Sequence, residues 1–172
     1  MAGKATPAVT ALTQAGVAHM LHEYDLTGGT EVGFGLDAAH QLGLDPGRVF
    51  KTLIVELDKD PTRLGVVVAP ATGEVDLRAA AGALGAKRAA LADTTRAERT
   101  TGYVQGGISP FGQRKRLPTV LDASAETFPS VFVSGGRRGL EIEVAPADLV
   151  AVLAAVVADV ARPEGRRRQI GR

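Results

Sequence analysis

Two apolar, β-branched runs, residues 49–57 and 64–69, flank the polar step Lys59-Asp60-Pro61. That arrangement predicts an antiparallel hairpin with the turn at the polar step. The first run, Val49-Phe50-Lys51-Thr52-Leu53-Ile54-Val55-Glu56-Leu57, alternates poorly between apolar and polar residues, so both of its faces are expected to be buried. Aromatic residues are only 4% of the chain, so alanine, valine and leucine must fill the interior around it. Lys51 interrupts the run. A lysine at the start of a buried strand is costly unless it meets a ligand or an ion pair. The alternative is a strand-edge lysine whose ammonium reaches water.

Around this hairpin, helices and strands interleave without a regular βαβ rhythm. Thr6 caps a helix that Pro7 opens and Gly16 closes. Residues 17–24 read as a strand, 26–35 as a glycine-rich loop, and Asp37 as the start of a short helix ending near Gly43. Asp76 caps a helix to about Leu84 with Gly85 as its stop, residues 87–91 form a short strand, and Asp93 caps a helix through Arg99. Residues 119–121, 131–133 and 140–144 read as strands, and Pro146 opens a last helix running to about Val160. The expected class is α+β: a mixed, partly closed, barrel-like sheet flanked by helices. One domain is expected over residues 1–162, followed by a basic, mobile tail at 163–172.

Composition excludes several functions. The longest apolar run, Leu149 to Ala158, is ten residues, too short to span a bilayer. Thr10, Thr13 and Gln14 interrupt the N-terminal apolar pattern, so no signal peptide and a cytoplasmic location are expected. The chain has no cysteine, which removes disulfides, thiolate metal sites and a cysteine nucleophile. His19 and His22 sit three apart in a strand and point to opposite faces, so no metal site is expected from them. Net charge is only +1, unlike a strong autonomous nucleic-acid binder. The cations are nevertheless clustered, at Lys87-Arg88, Arg114-Lys115-Arg116, Arg137-Arg138 and Arg166-Arg167-Arg168. Such clusters track phosphates, although each alone also fits a solvated surface. Gly33-Phe34-Gly35-Leu36-Asp37-Ala38 matches a dinucleotide fingerprint formally, but no buried strand leads into it.

Two glycine loops carry the strongest ligand signal. Gly102-Tyr103-Val104-Gln105-Gly106-Gly107-Ile108-Ser109-Pro110-Phe111-Gly112-Gln113 runs directly into the basic cluster at Arg114. A glycine pair lets backbone N–H groups approach a ligand where a Cβ would block them. Ser134-Gly135-Gly136-Arg137-Arg138-Gly139 is a second such loop and also reads as a hairpin turn into residues 140–144. Glu141 and Glu143 share one face of that last strand.

Five segments in order, Thr6-Pro7-Ala8-Val9, Val49-Phe50-Lys51-Thr52-Leu53, the 101–113 loop, Arg116-Leu117-Pro118-Thr119 and the 134–140 loop, resemble the YbaK/EbsC family of bacterial Cys-tRNA(Pro) deacylases. The likeness covers roughly residues 5 to 161. It implies the fold of the editing domain inserted in bacterial prolyl-tRNA synthetases. It implies hydrolysis of cysteine wrongly attached to tRNA(Pro), with the cysteinyl thiol attacking its own ester, and with prolyl-tRNA synthetase as a partner. No cofactor and no metal are implied. By the same likeness Lys51 matches the essential lysine, Gly106 and Gly107 the glycine loop, and Ser134 the pocket serine. Tyr24 and Phe34 match aromatic pocket positions, and Glu141 stands where close relatives often carry aspartate. Thr52, Ile108, Ser109 and Gly136 complete the expected substrate pocket, and Arg114, Lys115, Arg116, Arg137 and Arg138 are expected to meet the tRNA. An alanyl-tRNA(Pro) deacylase and a non-catalytic tRNA- or nucleotide-binding module are the alternatives.

Overall fold

The computed structural model of the chain describes residues 5–26 and 33–162. The hairpin forms as expected. Strands β2 (Phe50–Leu57) and β3 (Asp60–Pro70) pair antiparallel from Phe50↔Pro70 to Glu56↔Leu64. The turn is Asp58-Lys59, with φ of 54° and 58°, so Asp60 and Pro61 already belong to β3. Two consecutive positive φ values give the mirror-type turn that matches strand twist. Asp58 offsets the strain by accepting the Lys87 and Arg88 N–H groups at 2.8 and 3.0 Å.

Both faces of the hairpin are buried, which is why the run shows no alternation. Ile54, Val66 and Val68 enter one core cluster with Leu12, Phe111, Leu121 and Ile142. Val55, Leu57, Val67 and Ala69 enter another with Ala80, Leu84 and Val160. The hairpin is central in a five-stranded sheet whose other members are β5 (Ala89–Leu91), β6 (Thr119–Asp122) and β9 (Val156–Ala158), in the order β5-β2-β3-β6-β9. β3, β6 and β9 run parallel, the rest antiparallel. A second sheet, β1-β8-β7, comprises β1 (His19–Glu23), β7 (Val131–Ser134) and β8 (Leu140–Val144). The Val49↔Phe132 bridge joins the two sheets along one edge, so the barrel-like arrangement stays open. A two-stranded piece pairs β4 (Glu74–Val75) with β10 (Ala161–Arg162).

The helices are α1 (Pro7–Gln14), α2 (Phe34–Leu42), α3 (Leu77–Ala83), α4 (Thr94–Thr101) and α5 (Pro146–Leu153). Thr6, Asp76 and Asp93 cap α1, α3 and α4 with their side-chain oxygens, as their positions predict. α2 starts at Phe34, three residues before Asp37, because Gly33 at φ 80° supplies the entry; Asp37 is buried within the helix. α5 is about half its expected length. It stops at Ala154, which adopts the left-handed conformation, and Val156-Val157-Ala158 then joins the sheet beside β6. Among the described residues no helix is long and apolar enough to cross a membrane. The expected tail at 163–172, and residues 27–32 of the expected glycine-rich loop, lie outside the described residues.

Candidate active site

A cavity of about 400 Å³ opens where the two sheets meet. Its floor is the start of β2, Phe50 to Ile54, its sides the N-terminus of α2 and the segment Leu91 to Ala97, and its cover Gln105, Gly106 and Ile108 of the first glycine loop. Ser134 and Glu141 reach it from the second sheet. Lys51 is the one cation among the described lining residues. It is half-buried, its Nζ donates to the Gly73 carbonyl at 3.3 Å, and burial lowers its pKa against the opposing pull of Glu74.

Glu141 faces Lys51's cavity from the opposite sheet with 5% of its surface exposed. Its Oε2 has no hydrogen-bond partner among the described residues, and neither has Thr52 Oγ1. Burial pushes the Glu141 carboxyl up to about 8 from an ordinary 4.5. Between those values the folded chain holds a proton that the unfolded chain has released, so stability falls as pH rises through the window. Glu141→Gln removes that loss. Its melting temperature is expected to gain on the wild type by a few °C between about pH 5 and about pH 8. Thermal melts across this range check it, and a gap that does not change with pH would contradict it.

The cover is a stacked assembly. Gly106 has φ 87°, and a Cβ there would lie 2.7 Å from the Phe34 ring. The Arg138 guanidinium sits over the same ring at 4.8 Å and donates from Nε to the Gln105 carbonyl at 2.9 Å. Loop 102–113 is held from below: Phe111 is fully buried, and the Tyr103 hydroxyl donates to its carbonyl at 2.6 Å. Gly107 lets the two glycine loops touch, since a Cβ there would meet the Arg137 backbone at 2.8 Å. The Gly107 N–H is already used, donating to the Val104 carbonyl at 2.9 Å.

The sequence pattern of the aminoacyl-tRNA editing domain matches residues 36–152, which contain Lys51, both glycine loops and Glu141. A curated relative from Enterococcus faecalis, named "Putative Cys-tRNA(Pro)/Cys-tRNA(Cys) deacylase EbsC", is 37% identical over 126 residues, 73% of this chain and 76% of its own. The chain belongs to the aminoacyl-tRNA editing family. That family is the one the sequence resemblance implied. Two solved structures share the fold of this editing domain. One, "Crystal structure of a putative trans-editing enzyme for prolyl tRNA synthetase", has a TM-score of 0.79 at 23% identity and covers 94% of this chain and 99% of its own. The other, hypothetical protein APE2540, has a TM-score of 0.80 at 25% identity over 91% and 100%.

Within the editing domain, the cavity gathers Lys51, Thr52, Phe34, Gly106, Ile108, Ser134 and Glu141 from the residues expected to form the site. The others stand outside its lining. Ser109 is fully buried beneath the loop, where its Oγ accepts the Phe111 N–H at 3.3 Å. Gly136 packs against Tyr103 and Thr6. Tyr24 borders a neighbouring polar cleft with Glu23, Asp25 and Arg137. Its phenol is pushed up to about 12, first by burial and then by Glu141. Of the basic residues, Arg138 caps the Phe34 ring and Arg137 pairs with Glu23 at 2.8 Å. Arg114, Lys115 and Arg116 are exposed but do not line the cavity. Sequence reasoning missed the Leu91-Ala92, Thr94 and Ala97 wall. Its signal was only the Asp93 cap, which fixes where α4 begins but not what it faces.

Proposed function

We propose that this editing domain removes cysteine mistakenly esterified to tRNA(Pro), with the substrate's own thiol opening the ester. The observation that carries the reading is the chemistry of the cavity wall. The described lining holds a lysine, a glycine at a close approach, one carboxyl and the hydroxyls of Thr52, Thr94 and Ser134, with no cysteine and no histidine to make or activate a nucleophile. A substrate that brings its own sulfur removes that need. The cysteinyl Sγ attacks the ester carbonyl carbon, the carbon–oxygen bond to the terminal ribose breaks, and the thiol proton ends on the ribose oxygen. The resulting thiolactone takes up water to give free cysteine. Lys51 stabilises the developing oxyanion or holds the terminal phosphate, and Gly106 offers the carbonyl a backbone N–H from the cover. The protein's contribution is orientation and charge stabilisation.

A panel of Cys-, Ala- and Ser-charged tRNA(Pro) tests this. Fast release of cysteine with little alanine or serine release is expected. An intact cysteinyl ester, with and without prolyl-tRNA synthetase, would sink the proposal, and serine release would remove the thiol from the mechanism. With a net charge of +1, the isolated domain is expected to discriminate acceptor stems weakly. A synthetase partner in the cytoplasm then supplies tRNA selectivity. Acceptor-stem swaps read this directly, and strong discrimination by the isolated domain would contradict it.

A further inference from the structure

Glu141 Oε2 and Thr52 Oγ1 are buried, unpartnered among the described residues, and both belong to side chains lining the catalytic cavity. Neither cross-strand neighbour bonds to Glu141 Oε2. His22, opposite Glu141 on β1, gives its Nε2 to Glu143 at 3.0 Å. Ser134, opposite on β7, accepts the Gly136 N–H at 3.3 Å. Burial alone raises the Glu141 carboxyl, and the carboxyl in turn acts on the Tyr24 phenol. The cavity's one described lining cation, Lys51, belongs to β2 of the other sheet, and its Nζ is tied to Gly73. One wall of the cavity therefore offers a buried carboxyl, protonated in the free protein up to about pH 8, and another an ammonium; a cation brought against that carboxyl restores its charged form.

An aminoacyl ester is polarised in the matching sense. Its only cation is the α-ammonium, and its anionic groups are the developing oxyanion and the terminal phosphate. Lys51 repels the first and attracts the others. We infer that Glu141 receives the α-ammonium of the aminoacyl ester, with Thr52 Oγ1 as a second acceptor, so that the domain acts on esters with a free amine and spares N-blocked ones such as peptidyl-tRNA. This rests on the deacylase reading above and adds a requirement to it. The amine contact fixes which way the substrate lies; it does not distinguish one amino-acid side chain from another.

The test compares wild-type turnover of two esters on one tRNA, cysteinyl and 3-mercaptopropionyl, which keeps thiol and ester but lacks the amine. kcat/KM is expected to fall by roughly 10- to 100-fold without the amine, the range of a lost charge-assisted hydrogen bond. Glu141→Gln is expected to treat the two esters alike. Equal wild-type rates would overturn the inference. So would a Glu141→Gln variant that preserves the wild-type ratio while slowing both esters, because the carboxyl would then serve the thiol or the fold. Binding of the corresponding amide-linked analogues of 3′-amino-3′-deoxyadenosine gives a readout without turnover. If the cysteinyl amide binds tenfold or more tightly than its desamino form while the cysteinyl ester stays intact, the deacylase reading fails and the amine site stands. Equal affinities overturn the amine site whatever the ester does.

Discussion

Lys51→Ala is expected to lower kcat/KM for cysteinyl-ester cleavage by about 10²–10³, the usual effect of deleting one preorganised donor to a developing oxyanion. The fold is expected to survive. Among the described residues the side chain makes one long hydrogen bond, 3.3 Å to the Gly73 carbonyl, and removing a half-buried amine relieves its desolvation. β2 keeps its pairing with β3 because the Lys51↔Ala69 register depends on backbone groups. Lys51→Arg is expected to recover only part of the rate, since a planar guanidinium does not place its charge where a compact ammonium did. Single-turnover kinetics on Cys-tRNA(Pro), with circular dichroism as the folding control, measure both. A folded alanine variant within about threefold of wild type would remove Lys51 from the chemistry.

The proposed role of Lys51 is expected to give rate and stability opposite pH trends. Burial holds its pKa below the ordinary lysine value of 10.5. Between the lowered value and 10.5 the unfolded chain binds a proton that the folded chain has lost, so stability rises with pH in that window. The rate is expected to fall there, because the proposed contacts to the oxyanion and the phosphate need the ammonium form; a pH–rate profile of cysteinyl-ester cleavage checks it, and a rate that holds level through the window would contradict it.

What the sequence disclosed follows from conflict between local patterns. Lys51 stood out because it interrupts an apolar strand, and Gly106 because a glycine pair leaves the backbone open to a ligand. Glu141 carried no such sign of its own. It alternates with apolar neighbours as a solvent-facing residue does, and only the packing of α2 and the glycine loop over that end of β8 turns its face into a cavity wall. Glu143, two residues on, stays half-exposed and meets His22 and Ser130. The Leu91 to Ala97 wall was hidden for a related reason: it is placed by the long-range pairing of β5 with β2, Val55↔Leu91, which no local pattern encodes. The early end of α5, at Leu153, has a cause of the same kind. Ala154 and Ala155 carry no breaker, and the helix yields because Val156 and Val157 find a strand partner in β6.

Gly106→Ala is expected to cost activity by about 10- to 100-fold and stability by about 1–2 kcal/mol, through two separable causes. The first is backbone: φ 87° is a conformation that a Cβ disfavours wherever it is placed. The second is the Phe34 ring, three of whose atoms would lie within 2.8 Å of the new methyl. The ring cannot simply tilt away. Arg138 covers it at 4.8 Å and is held by the carbonyl of Gln105, the residue next to the substitution, so displacing the ring disturbs the whole cover. Phe34→Ala in the Gly106→Ala background isolates the two terms. Relief of the clash is expected to restore part of the lost stability, while the φ strain remains and activity stays low because the cover is gone. Denaturant unfolding of the four members of this cycle measures the coupling. If the two substitutions add without interaction, the Phe34 ring does not depend on a glycine at 106, and the stacked cover is not what shapes this cavity.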